Sequence, residues 1–310
     1  MAVDWVETFK AWAKPPSENE EEKASNAARM INDAVRETKI LDGRRFSAYP
    51  AGSYRNNTNV RANSDVDIAV VCEEAFWYVL PEGLTAAQVG IGDRSASYGL
   101  ADFRADLGRA LTQKFGKDVK PGNKTFDIDG NSYRLPADVT PFLLHRHYTG
   151  GRRSDGSWEY LLGVETRPAN DGNRRIINWH QEHYDRGVVK NAATNRRYKR
   201  ITRILKRMRA HMKESGAAEA RIAAQPAASF LIECLVYNCP DSCFNRQDGS
   251  YHEDVKAVIA HAWNKTNEEG VASKFVEVSE RKLLFGPHQG WTRAQAHEFL
   301  LRAWNHAEFK

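Results

Sequence analysis

Cysteine is scarce in this chain, with four in 310 residues: Cys72, Cys234, Cys239 and Cys243. That is too few for a disulfide scaffold, so reduced thiols in a cytoplasm are the default expectation. Cys239 and Cys243 stand four apart, with no second Cys/His pair at zinc-ribbon spacing, so they read as structural and not as a zinc site. Long apolar runs are missing too. No stretch approaches the ~20 apolar residues of a bilayer span. The opening segment MAVDWVETFKAWAKPP carries Asp4 and Glu7 early, so no secretory signal is expected. Internal repeats and low-complexity linkers are also absent, which excludes solenoids and tethered arrays.

What is present is an ordinary globular composition, 41% hydrophobic and 27% charged. The formal net charge is +5 and the pI about 8.9. A mildly basic balance suits a protein that handles polyphosphate or nucleic acid, but alone it selects no function.

The periodicity changes along the chain. A first helix is expected from Val3 to about Lys14, ended by Pro15-Pro16. A second follows Ser17, whose spacing to Glu20 is that of a capping box, with an apolar stripe through Ala24, Ala27, Ala28, Ile31, Ala34 and Val35. Arg45–Pro50 and Asp65–Cys72 read as strands. Leu100–Phe115 reads as a helix. Lys124–Ile128 and Ser132–Val139 flank Asp129-Gly130-Asn131 as a hairpin. From about Asn191 onward the pattern is helical, through Arg196–Lys213, Ala227–Tyr237, Tyr251–Thr266 and Thr292–Trp304. The expected fold class is α+β. The expected domains are a catalytic core over 1–190, with the N-terminal helices, and a helical lobe over 191–310, with a cleft between them.

The chemistry concentrates in Gly52-Ser53, Asp65-Val66-Asp67 and Asp138. Strand side chains alternate faces, so Asp65 and Asp67 point the same way. Adjacent carboxylates repel unless a cation neutralises them, and hard oxygen donors suit Mg²⁺ or Mn²⁺. Gly52 lets backbone approach a phosphate, which N–H groups and the Ser53 hydroxyl can hold. Asp138, in a further β segment, completes the metal shell. The pattern implies two-metal nucleotidyl transfer: one ion shared by Asp65, Asp67 and Asp138 activates a hydroxyl, and a second on Asp65 and Asp67 clamps the triphosphate. A DxD by itself is also common on surface turns; the upstream Gly-Ser, the apolar strand and the third Asp favour the metal reading.

Gly52-Ser-Tyr-Arg-Asn-Asn-Thr-Asn-Val60 followed by Ser64-Asp-Val-Asp-Ile-Ala-Val70 resembles the polymerase-β-type nucleotidyltransferase signature. More narrowly, the chain resembles the bacterial cGAS/DncV-like nucleotidyltransferases (CD-NTases), within them the CdnE-like clade. Leu135–Val139, Asn178–Gly187, Lys190–Asn195, Ser229–Asn238 and Leu284–Gly286 carry the likeness over nearly the whole chain. The resemblance implies a polymerase-β-like core, and a synthase joining NTPs into a cyclic oligonucleotide that acts on a separate effector in antiphage defence (CBASS). No zinc-ribbon insertion like that of the animal DNA sensor is visible, so a DNA activator is not implied.

Further site residues follow from the resemblance. Lys206, on the basic helix, and Ser229, opening the next apolar one, match positions that contact the donor triphosphate. The remaining Lys and Arg of that helix read better as a solvated basic face or a nucleic-acid groove. Phe230 stands where the family often carries a base-stacking Tyr; stacking survives the change, the phenolic hydrogen bond does not. Asn178 matches a base-contacting position, where Asn goes with acceptance of uracil. Its amide offers the donor and acceptor that the uracil imide edge requires, though a lone Asn is more often a turn or cap residue. The implied product contains uridine, as cyclic UMP-AMP or cyclic di-UMP, made from UTP and ATP. His145 and His147 either line the cleft or are simply exposed; neither they nor the pair His180 and His183 are assigned to metal. The competing readings are a template-independent nucleotidyltransferase acting on RNA or protein, and an inactive nucleotide-binding scaffold.

Overall fold

The structure, a computed structural model, describes residues 3–60, 65–92, 96–214, 217–245, 250–287 and 289–310. Ser64 of the sequence signature lies outside the described residues. The chain forms two compact units: Ser17–Tyr54 with Ser64–His180, and Met1–Pro16 with Arg55–Asn63 and Gln181–Lys310.

The first of these is the sheet unit. It holds helices α2 (Glu18–Arg36) and α4 (Leu100–Phe115) and strands β1 (Phe46–Pro50), β2 (Val66–Val79), β3 (Val119–Pro121), β4 (Phe126–Ile128), β5 (Ala137–Arg152), β6 (Trp158–Thr166) and β7 (Ile176–Asn178). The short helix α3 (Gly52–Arg55) follows β1. Helix α2 starts as expected: the Glu20 carboxylate accepts from the Ser17 backbone N–H at 3.0 Å and from its hydroxyl at 2.8 Å. The strand order is β1-β2-β5-β4-β3, with β6 pairing both β5 and β7. Among the described residues, only β2 and β5 pair in parallel.

Alternation along these strands sorts the side chains onto two faces. Val66, Ile68, Val70 and Cys72 of β2 and Ala137, Val139 and Leu143 of β5 join the core formed with α2 and α4. Leu107 and Leu111 of α4 are wholly buried there, each worth about 1.5–3 kcal/mol relative to exposure. Ala69, Val71, Phe142 and Val164 make a smaller cluster on the opposite face. That face carries the candidate carboxylates. The expected Asp129-Gly130-Asn131 hairpin is longer than its sequence suggests. Strand β5 begins at Ala137, not Ser132, because the Asn131 side chain accepts from the Tyr133 and Arg134 backbone N–H groups at 2.9 and 3.0 Å and holds those residues in a turn.

The helical unit contains α1 (Trp5–Ala13), α5 (His180–Ala193), α6 (Arg197–Glu214), α7 (Ala218–Ala224), α8 (Ser229–Tyr237), α9 (His252–Asn267), α10 (Glu269–Ala272) and α11 (Arg293–His306). The expected division at residue 190 is corrected here. Trp5, Phe9 and Ala13 of α1 share one core with Ile201, Leu205, Leu231 and Phe299, so the N-terminal helix belongs with the C-terminal ones. The solvated basic face expected for the other Lys and Arg of α6 is corrected in part, since Lys199 and Arg203 are buried. Arg203 donates through Nε and Nη2 to the Ala13 carbonyl, at 2.9 and 2.7 Å, and through Nη1 to Asn57 O at 2.6 Å. A guanidinium can bury there because the end of α1 offers carbonyls with no helical partner. Among the described residues, no helix is long and apolar enough to cross a membrane. All four cysteines are buried.

Candidate active site

The candidate carboxylates are set by strand register. Asp67 of β2 pairs with Asp138 of the parallel β5, and Asp138 pairs in turn with Asp127 of the antiparallel β4. Directly paired residues present side chains on one face, so three carboxylates form a row across three strands, opposite the apolar core. Asp65 is exposed just before β2. The start of that strand is fixed by the Val66 N–H donating to Pro136 O at 2.9 Å. Asp127 was missed in the sequence, although an acid between the buried Phe126 and Ile128 already points away from the core.

Gly52 stands directly against the Asp67 carboxylate. The Ala51 N–H donates to Asp67 O at 2.7 Å, and the chain then turns through Gly52 at φ +56°. A Cβ on Gly52 would run into the Asp67 carboxylate, 2.8 Å from its Cγ. Glycine is therefore required twice over, for the left-handed backbone and for the close approach. Ser53 follows in α3, half-buried.

Burial, then the charges of Asp65, Asp127 and Asp67, push the Asp138 carboxyl up to about 6. A row of hard oxygen donors under mutual repulsion fits a divalent oxophilic cation such as Mg²⁺ or Mn²⁺. Among the described residues, no three His, Cys, Asp or Glu side chains already close into a finished cage. The carboxylates stand in register rather than converge.

Asn178 ends β7, half-buried, and pairs with Val164 of β6. Val164 pairs in turn with Leu144 of β5, which shares the alternation of Asp138 and Phe142. Asn178 therefore lies on the carboxylate face of the same sheet. His180 approaches the Tyr49 hydroxyl through Nδ1 at 3.3 Å. His145 is wholly buried, with Nδ1 2.9 Å from Glu165 Oε2, and so neither lines a cleft nor is exposed.

The remaining expected residues lie in the helical unit. Lys206 lies in the interior of that unit. Its ammonium is buried and spends its donors on Glu233 Oε2 at 2.7 Å, Thr58 Oγ1 at 3.0 Å and Thr58 O at 3.2 Å. These three intramolecular acceptors tie α6 to α8 and to the Thr58 segment within one unit. Glu233 also accepts from Thr58 Oγ1 at 2.7 Å and lies 3.0 Å from His183 Nε2. Burial pushes the Glu233 carboxyl up, but Lys206 and His183 outweigh this and hold it well below the usual range. Ser229 is exposed at the first turn of α8, its Oγ 3.1 Å from Arg209 Nη1. Phe230 packs against His183 and Trp291, with ring centroids at 5.7 and 6.0 Å.

Comparison with known proteins identifies the family of the chain. The family model of the cGAS/DncV-like nucleotidyltransferase C-terminal helical domain matches residues 185–308. The chain is 40% identical over 311 residues to the cyclic dipyrimidine nucleotide synthase CdnE of Legionella pneumophila, covering 99% of each. It is 34% identical over 306 residues to a cyclic dipurine nucleotide synthase of Elizabethkingia meningoseptica, covering 96% of this chain and 97% of the relative. The Rhodothermus marinus CdnE c-UMP-AMP synthase, solved with Apcpp and Upnpp, superposes with a TM-score of 0.81 at 30% identity, over 97% of this chain and 95% of that one. Similarity end to end in sequence and fold makes this chain a nucleotidyltransferase of the cGAS/DncV-like family, in its CdnE branch.

Proposed function

We propose that the chain joins two NTPs into a cyclic dinucleotide that contains uridine, cyclic UMP-AMP or cyclic di-UMP. A ribose hydroxyl oxygen bonds to the α-phosphorus of the other nucleotide, the bond to pyrophosphate breaks, and the hydroxyl proton is released. A second such transfer closes the ring. Asp65, Asp67 and Asp138 would hold the cations, with Asp127 adding negative charge at the end of the row. Bound there, two Mg²⁺ or Mn²⁺ ions supply Lewis-acid activation of the hydroxyl and charge neutralisation on the departing pyrophosphate. The Gly52-Ser53 turn brings backbone N–H groups and a hydroxyl to the phosphates, and the Asn178 amide reads the imide edge of uracil. In this reading Ser229 and Phe230 serve the nucleotide from the helical unit. The protein works in the cytoplasm without a DNA activator, and its product signals to a separate effector in CBASS defence.

The observation that carries the reading is the register of Asp67 on Asp138 beneath Gly52. The choice of uridine rests on Asn178 and on the dipyrimidine name of the 40% identical relative. The dipurine relative at 34% identity indicates that overall similarity leaves the base open, so individual side chains must set it. The test is incubation with all four NTPs and Mg²⁺ or Mn²⁺, followed by mass spectrometry of nuclease-resistant products. A uridine-containing ring is expected, lost in the Asp65→Ala plus Asp67→Ala protein. Nuclease-sensitive linear products would instead identify an RNA acceptor, and only purine rings would remove the assignment of Asn178.

A further inference from the structure

Strand β7 is three residues long and ends on Asn178. So short a strand has little ladder of its own to fix its position. Its three pairings to β6 are Val164 with Asn178, Glu165 with Ile177, and Thr166 with Ile176. What reinforces it lies on the reverse face of the sheet. Glu165 is wholly buried and is gripped by Arg175, the residue before β7, through Nε to Oε1 at 2.9 Å and Nη2 to Oε2 at 2.7 Å. His145 Nδ1 closes on the same carboxylate at 2.9 Å, and its ring meets Trp179, the residue after β7, edge-on at 6.1 Å. Gly163 completes the seat: a Cβ there would lie 2.9 Å from Asn178 O and 3.1 Å from Trp179 Nε1.

The two faces separate these groups from the chemistry. Glu165 pairs with Leu143 and Gly163 with His145, the alternation opposite to that of Leu144, Val164 and Asn178. The ionic cluster thus sits behind the strand while Asn178 projects in front, so the cluster cannot touch a base that Asn178 reads.

We infer that the Arg175–Glu165–His145 cluster and the missing side chain of Gly163 are a positioning device: they fix the height and angle of Asn178 and thereby set the choice between pyrimidine and purine. The inference rests on Asn178 reading the base. A two-pronged guanidinium–carboxylate pair, here with the carboxylate wholly buried and the Arg175 side chain 37% exposed, holds direction as well as distance, and an amide that must align donor and acceptor on one base edge needs both. A rigid support of this kind is what separates a side chain that is present from one that is placed.

The test is product composition under competition among equimolar UTP, CTP, ATP and GTP, read by mass spectrometry, with melting temperature recorded alongside. Asn178→Ser, Arg175→Ala, Arg175→Lys and Gly163→Ala are compared. Arg134→Met is the control: it removes another ion-paired arginine of the same unit, one held by Asp118 at 2.8 Å. Arg175→Ala and Gly163→Ala should each lower the pyrimidine-to-purine ratio about fivefold or more, the size of effect expected of one misaligned contact. Arg175→Lys should recover part of the loss, and Arg134→Met should lower melting temperature without moving the ratio. If Asn178→Ser moves the ratio and neither Arg175→Ala nor Gly163→Ala does, the positioning role is overturned while Asn178 keeps its own. If Asn178→Ser leaves the ratio unchanged, both fall. A shift in Arg134→Met equal to that in Arg175→Ala would also overturn the inference, because general loosening would then explain it.

Discussion

Gly52 and Asp67 are so close that no side chain fits between them: a Cβ on the glycine would stand 2.8 Å from the aspartate Cγ. The backbone that opens α3 and the carboxylate of β2 thus form one wall, and this contact exists because residue 52 has no side chain. At φ +56°, alanine costs about 1–2 kcal/mol from backbone strain alone and also displaces Asp67. Gly52→Ala should therefore lower turnover about a hundredfold, as misplacement of a reacting group by an ångström does. Steady-state kinetics beside a thermal melt check this; wild-type turnover would refute the close-approach account.

Asp127 adds charge to Asp138 from the neighbouring strand. Asp127→Asn should relieve that repulsion. Without divalent cation the variant should melt no lower than wild type. The rise in melting temperature on adding Mn²⁺ should shrink, because fewer negative charges face the ion. A larger cation-induced rise would exclude Asp127 from the cation's field.

The Asp138 carboxyl lies at about 6 in the fold against an ordinary 3.8. Its folded value is raised, so the folded protein binds this proton more tightly than the unfolded chain. The associated stability is fully present below about pH 4 and is lost as pH rises through about 6. Glu165 and Glu233, both held below their usual range, contribute in the opposite sense, losing stabilisation on acidification. Comparison with Asp138→Asn cancels those contributions. In cation-free buffer the variant should gain melting temperature relative to wild type between about pH 4 and pH 7. A gap independent of pH would contradict the raised value.

Lys206 and Glu233 form a buried pair, each side chain 4% exposed. Removing one partner strands the other charge, so Lys206→Met and Glu233→Leu should each cost about 3–5 kcal/mol, and the double variant less than the sum. Urea denaturation of the four proteins gives the coupling. If Lys206→Met left stability intact and only raised the KM for NTP, the ammonium would belong to the triphosphate after all.

The parts of this protein legible in its sequence are those decided by neighbours a few residues apart. The Ser17–Glu20 cap, the helix Leu100–Phe115 and the alternation that puts Asp67 opposite the apolar core each need one turn of helix or one strand repeat. The conspicuous Asp pair and the upstream glycine were visible for the same reason. Tertiary structure decided the rest, because those contacts join segments that only the sheet order and the helix packing bring together. That β5 lies parallel to β2 and antiparallel to β4 sets Asp67, Asp138 and Asp127 in one row. Helix α1 joins the C-terminal helices through a shared apolar core and through the Ala13 carbonyl, which accepts twice from Arg203. That Lys206 pairs with Glu233, 27 residues on, is likewise a matter of how α6 and α8 pack. Charge along a helix is visible in a sequence; whether that charge faces water, a ligand or a buried counter-ion depends on what packs against it.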